Sequence, residues 1–185
     1  FSFYKPDLTI TVADPHRPGN EVSYYPGEVN LRMADVVVIN KMDSAAPEGI
    51  QMVRDNIRRV NPKAIVVDGA SPIKVDNPEL ITGKRCLIVE DGPTLTHGEM
   101  KIGAGTIAAR KFGASEEVDA RPFLVGKLKE TYQIYPNIGR ILPAMGYGEQ
   151  QLKDLEGTIN ATDCDSVIIG TPIDLNRIIK IKKPS

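Results

Sequence analysis

The sequence predicts an α/β protein with a mainly parallel sheet and flanking helices, layered αβα. Three observations point there. Six short runs, at residues 8–12, 35–39, 64–67, 86–89, 140–142 and 166–169, are apolar and β-branched on both alternating sides. Strands buried on both faces of a parallel sheet read this way. Segments with helical periodicity lie between them, and strand–helix alternation implies βαβ units with right-handed crossovers. Finally, the residues following the runs are rich in Asp, Asn, Thr and Gly, and open α/β sheets bind ligands just beyond the carboxyl ends of their strands.

Each helix has its own justification. Over 47–60, Pro47 falls in the first turn while Ile50, Val53, Ile57 and Val60 recur at helical spacing. Residues 100–112 are Ala-rich and end at Gly113, a suitable C-cap. Residues 123–134 and 149–159 form two more helices, 174–179 opens a last one, and 30–34 a short one. Between 71 and 83, prolines, Asp76, Asn77 and Gly83 break the periodicity. This stretch is either a linker or a long functional loop. We divide the chain into residues 1–75 and 76–185, with a single domain as the alternative.

Composition limits the function. The chain has 185 residues, 41% hydrophobic and 25% charged, and a net charge of −1, which suits a globular core and argues against a nucleic-acid partner. The basic run from Arg177 to Lys183 reads as a solvated face. Cys86 and Cys164 lie in apolar runs and read as small core residues of a reduced, cytoplasmic protein. No apolar stretch approaches the ~20 residues of a membrane span. The chain opens at Phe1 and stops just after an apolar segment, so we expect a fragment of a longer polypeptide.

The most chemical of the strand ends is the run Val36-Val37-Val38-Ile39 leading into Asn40-Lys41-Met42-Asp43. The Asp43 carboxylate can accept from the two N–H donors of a guanine edge, a pair that adenine lacks. Asn40 can fix the loop and touch the base, and the Lys41 stem can lie along the ring. A polar turn explains the tetrapeptide as well. One strand earlier, Asp14 precedes His16 and Arg17. Asp14 suits a Mg²⁺-associated carboxylate and Arg17 can pair with phosphate oxygens; a capped turn is the alternative. The loop Gly69-Ala70-Ser71 lets backbone approach a base or sugar, or simply turns.

The densest segment is Glu90-Asp91-Gly92-Pro93-Thr94-Leu95-Thr96-His97-Gly98. Strand alternation sends Glu90 and Asp91 to opposite sides, so one of them points into a site. Asp91 can act as base or metal ligand, Thr94 and Thr96 can donate to phosphate, and His97 can move a proton or hold an anion. Gly103-Ala104-Gly105 follows, where a helix start offers N–H groups to phosphate. A capped turn is again the alternative. Loops 119–122, 142–148 and 170–174 complete the set; there Asp174 reads as an N-cap, although Thr171 can reach a ligand. No Gly-x-x-x-x-Gly-Lys-Ser/Thr occurs, so these residues lack a triphosphate cradle.

Together, the segments 14–21, 25–28, 34–45, 89–98, 142–148 and 170–175 resemble the cyclic 2,3-diphosphoglycerate synthetase family, also described as predicted P-loop GTPases. The resemblance runs along nearly the whole chain, and Glu90-Asp91-Gly92-Pro93-Thr94-Leu95-Thr96-His97-Gly98 is its most specific string. It implies a P-loop NTPase-like core whose phosphate loop lies upstream. It also implies closure of an intramolecular phosphoanhydride on 2,3-diphosphoglycerate with ATP and Mg²⁺. Carried onto matching positions, Asp14 becomes the metal-side carboxylate, and Asn40, Lys41 and Asp43 the base loop.

The resulting expectation is the carboxyl-terminal part of a nucleotide-dependent phosphotransferase or synthetase acting on a small phosphorylated or carboxylated acid. Asp91, His97 and Arg17 are its catalytic candidates, and Asn40, Lys41, Asp43 and Ser71 bind the nucleotide. Thr94, Thr96 and Gly98 hold phosphate or substrate, and Asp14 holds the metal. Mg²⁺ and GTP or ATP are its cofactors. Its partners are the nucleotide, a small anionic metabolite and the upstream phosphate-loop portion, with a homodimer left open. A regulatory or metallochaperone-like GTPase and a module inactive on its own are the rival readings.

Overall fold

The computed structural model describes residues 5–92 and 103–185. It is an α/β protein of parallel strands and flanking helices in two compact units, Phe1–Pro72 and Ile73–Ser185.

In the first unit, β1 (Ile10–Ala13), β2 (Val36–Ile39) and β3 (Ile65–Asp68) form a parallel sheet in that order. Helices α1 (Asn20–Ser23) and α2 (Gly27–Met33) connect β1 to β2, and α3 (Pro47–Val60) connects β2 to β3. The helix α3 starts on Pro47 and buries Val53 and Ile57, the stripe its spacing predicts. That stripe joins Leu31 of α2, Ala13, Val37 and Ile39 in one cluster, so all three helices cover the same face of the sheet. Asn61 locks this layer by donating from Nδ2 to the carbonyls of Leu31 (2.9 Å) and Ala34 (2.8 Å).

In the second unit, β4 (Arg85–Asp91) is central and its five residues from Cys86 to Glu90 are buried. It pairs in parallel with β7 (Ser166–Gly170) along one edge. The short strands β5 (Glu116–Glu117) and β6 (Leu142–Ala144) share the other edge end to end, because Cys86 and Val89 each have partners on both sides. Alternation along β4 then splits the core. Leu87 and Val89 pack with Leu128 of α5 (Lys127–Ile134) and with Leu155 and Ile159 of α6 (Glu149–Ala161). Cys86 and Ile88 pack with Ala108 and Ala109 of α4 (Ala104–Lys111). This unit is thus three layers, αβα.

The strand at 140–142 falls two residues later than expected, since Ile141 is spent in the core before pairing begins at Leu142. At 174–179 a single 3₁₀ turn, Leu175–Arg177, replaces an α-helix, with Asp174 Oδ1 accepting from Asn176 N at 3.1 Å. No helix among the described residues is long and apolar enough to cross a membrane.

Candidate functional site

In the first unit the strand ends converge as parallel pairing requires. The register Ala13↔Ile39↔Asp68 places the loops after β1, β2 and β3 side by side. Backbone bonds hold them together: Asn40 N donates to Ala13 O, Gly69 N to Ile39 O, and Met42 N to Gly69 O, at 2.8–3.1 Å. Gly69 is suited to this spot because a Cβ would sit 3.1 Å from Val38 Cγ1 and 3.3 Å from Asn40 Oδ1.

On this frame the predicted residues meet. Asp14 Oδ2 accepts from Lys41 Nζ at 2.8 Å and from the Arg17 guanidinium at 3.3 Å, while its Oδ1 accepts from His16 N at 3.1 Å. Burial pushes the Asp14 carboxyl up. The bond from Lys41, the His16 N–H and the charges of Lys41 and Arg17 outweigh that and hold it below its ordinary 3.8. Lys41 reaches Asp14 from a left-handed backbone, φ 56°, and its Nζ closes this ion pair. Asp43 Oδ1 accepts from Ser71 N at 2.7 Å, and Ser71 Oγ donates to Asn40 Oδ1 at 3.0 Å. Asn40, Asp43 and Ser71 therefore form one hydrogen-bonded group, with Asp43 and Ser71 exposed.

Two neighbours escaped the sequence reading. Ser44 Oγ lies 3.0 Å from His16 Nε2, and Arg54 of α3 clamps both oxygens of Asp68 at 2.7 and 2.6 Å. Arg54 follows the buried Val53 within the apolar stripe of α3, and a cation just beside that stripe is the only signal that could have singled it out.

The strand ends of the second unit are a separate group. Glu90 and Asp91 diverge as alternation demands: Glu90 is 2% exposed and Asp91 half-buried. Glu90 turns its carboxylate to the start of α4. Its Oε1 accepts from Thr106 N at 2.8 Å and Thr106 Oγ1 at 3.1 Å, and the backbone N–H groups of Gly103 and Gly105 also bond its carboxylate. The helix start expected to offer N–H groups to phosphate is already occupied by this side chain, a correction with a simple cause. A carboxylate carried by the adjoining strand satisfies the orphan donors of α4. The fit depends on missing side chains: a Cβ on Gly103 would collide with the carboxylate, and one on Gly170 would lie 2.6 Å from Glu90 Oε2. Burial pushes the Glu90 carboxyl up despite these donors.

Asp91 ends β4 opposite Ala144. Burial, and then the Asp91 charge, push the Tyr147 phenol up. Thr171 Oγ1 donates to Ile173 O at 2.6 Å, closing its own turn. Thr94, Thr96, His97 and Gly98 lie outside the described residues. No group of three or more His, Cys, Asp or Glu suited to a metal ion occurs among the described residues. Cys86 is buried in the core, Cys164 is partly buried, and both thiols are free.

No family model matches the chain. Over its entire length it is 60% identical to arginine synthetase ArcE of Thermococcus kodakarensis, and it spans 41% of the length of that protein. The similarity is thus to a synthetase, as the resemblance implied, although to one named for arginine and not for cyclic 2,3-diphosphoglycerate.

Proposed function

We propose that this chain is the base-reading part of a nucleotide-dependent synthetase that activates a small anionic metabolite by phosphoryl transfer. One observation carries the reading. Asn40, Lys41 and Asp43 are tied to both neighbouring strand-end loops, through Ser71 on one side and Asp14 on the other. Ligands of parallel α/β sheets bind at this edge. The 60% identity to a protein named a synthetase supports the reaction class.

In this reading Asp43, held through Oδ1 by Ser71 N, presents its carboxylate to the N–H donors of a guanine. Asn40 is oriented by Ser71 Oγ, and Arg17 and Lys41 set two cations beside Asp14. Asp14 is the ligand type Mg²⁺ takes, one carboxylate with phosphates and waters completing the shell, but Lys41, Arg17 and the His16 N–H engage both its oxygens, so metal binding would require Lys41 and Arg17 to turn to the phosphates. Mg²⁺ supplies neutralisation of phosphate charge when bound. The triphosphate cradle is contributed from outside these residues, which contain no such motif. Asp91, and His97 with Thr94, Thr96 and Gly98, are the acceptor-side candidates.

A guanine-type loop also favours a second reading, a regulatory GTPase whose hydrolysis switches partner binding. Steady-state turnover of the full-length protein separates the two. A synthetase consumes nucleotide only when its small acid is supplied, whereas a switch hydrolyses slowly at a rate no acceptor changes. Acceptor-independent hydrolysis, with no product beyond nucleotide and phosphate, refutes the synthetase reading.

A further inference from the structure

The end of β3 carries a charge where the strand pattern calls for an apolar residue. Register places Asp68 in one row with Ala13 and Ile39, on the side that the helices cover. There it meets Arg54 of α3, whose Nη2 bonds Asp68 Oδ1 at 2.7 Å and Oδ2 at 2.6 Å. The Arg54 side chain is 28% exposed and that of Asp68 53%. An ion pair so open to water contributes little to stability. Its place in the chain gives it another role.

Asp68 lies three residues before Ser71, whose N–H holds Asp43 Oδ1 at 2.7 Å. An Asp ahead of a turn ordinarily folds back on its own loop, accepting from N–H groups two or three residues on. Here those groups belong to Ala70 and Ser71, so Asp68 and Asp43 are rivals for one donor. The backbone of the contest is fixed, because Gly69 N donates to Ile39 O at 2.8 Å and Gly69 O accepts from Met42 N at 3.1 Å. What decides it is the direction of the Asp68 side chain, and Arg54 sets that direction by engaging both of its oxygens. Arg54 is itself anchored from the far side of the base loop, since that loop runs directly into α3, where the neighbouring Val53 is fully buried.

We infer that Arg54 is a positioning residue for the base loop: it keeps Asp68 off the Ser71 N–H and so leaves that donor to Asp43. The consequence for binding rests on the proposed reading of a base by Asp43, whereas the exchange of hydrogen bonds does not. A clamp that merely braced the fold would make Arg54 and Asp68 equally important. Competition makes them opposite, because losing Arg54 frees the rival and losing Asp68 removes it. Calorimetric titration of the full-length protein with Mg²⁺-GTP reads the difference. Arg54→Met should weaken binding about 10-fold, the worth of one hydrogen bond to a charged group. Asp68→Ala should stay within about twofold of wild type, and the double variant should return to that level. Equal losses in the two single variants, or a double variant as weak as Arg54→Met, overturn the inference in favour of a structural clamp. So does an Arg54→Met variant that binds like wild type while wild type binds GTP. The Ser71 amide signal of the nucleotide-free protein, labelled with isotopic serine, separates failure of this inference from failure of base reading. In wild type that signal should respond to Asp43→Asn far more than to Asp68→Asn, and in the Arg54→Met background the two responses should trade places. A Ser71 amide that answers to Asp43 in both backgrounds refutes the inference whatever the protein binds.

Discussion

Replacing Glu90 by Ala removes the acceptor shared by Thr106 N, Thr106 Oγ1 and the backbone of Gly103 and Gly105. Thr106 is fully buried, and Gly103 and Gly105 are buried as well, so water replaces the carboxylate poorly. A buried donor left unsatisfied costs about 1–3 kcal/mol, and loss of a helix cap about 1. Because the donors share one acceptor their losses do not add, and the expected destabilisation is about 2–4 kcal/mol. Glu90→Gln keeps a carbonyl acceptor and the volume but turns one acceptor oxygen into an N–H donor among the N–H groups at the start of α4, for an expected cost of about 1–2 kcal/mol.

The two variants also separate in pH. Burial raises the native Glu90 carboxyl above its ordinary 4.5. Between those two values the native state keeps a proton that the unfolded state has released. Stability contributed at this site is therefore greatest below 4.5 and falls as pH rises through the native value. Glu90→Gln should lack that slope, so its deficit should be larger at low pH than at neutral pH. Denaturant titration at pH 5 and pH 8, monitored by far-UV circular dichroism, reads both effects. An alanine variant within 0.5 kcal/mol of wild type would falsify the capping role, using the usual spread of neutral surface substitutions as the yardstick.

Other consequences are as direct. Gly49→Ala introduces a Cβ that collides with the Pro15 carbonyl oxygen. Despite the better helix propensity of Ala, worth about 1 kcal/mol, it should destabilise by about 1–2 kcal/mol in denaturant titration. Lys41→Met and Asp14→Asn, measured singly and together, should show a coupling of about 0.5–1 kcal/mol, small because the Lys41 side chain is 36% exposed. The depressed Asp14 carboxyl adds stability above pH 3.8 that is lost as pH falls through its lower native value, and Lys41→Met should weaken that acid dependence.

Much of this architecture is legible in local pattern. Helix α3 begins and ends where its apolar period and Pro47 place it, because its information is carried within fourteen consecutive residues. The strands around Val37, Val66, Leu87 and Val167 are equally local. The two-residue β5 is not: Glu116 and Glu117 have no apolar alternation, and their pairing depends on Arg85, whose guanidinium bonds Glu116 Oε2 at 3.0 Å across the sheet. Helix α1, four residues behind a left-handed Gly19, is too short to show a period. At the strand ends, residue types pointed to Asp14, Asn40, Lys41, Asp43 and Ser71 as candidates, but not to who bonds whom. Lys41 is 27 residues from Asp14, and Thr106 is 16 from Glu90. Strand alternation separated Glu90 from Asp91, whereas which of them would turn inward was decided by the glycines of α4 and β7.

The proposed reading of a guanine base by the loop after β2 is open to direct measurement. Calorimetric titration of the full-length protein with Mg²⁺-nucleotides tests it, comparing wild type with Asp43→Asn. The substituted side chain keeps an oxygen for the Ser71 N–H, so the loop geometry survives. Loss of the charged acceptor, worth about 1.5–3 kcal/mol, should weaken GTP about 10- to 100-fold. The variant should gain affinity for xanthosine triphosphate, whose carbonyl accepts from the new amide, and wild type should prefer GTP to ATP. Equal wild-type affinity for GTP and ATP, with no change on Asp43→Asn, refutes guanine recognition by Asp43.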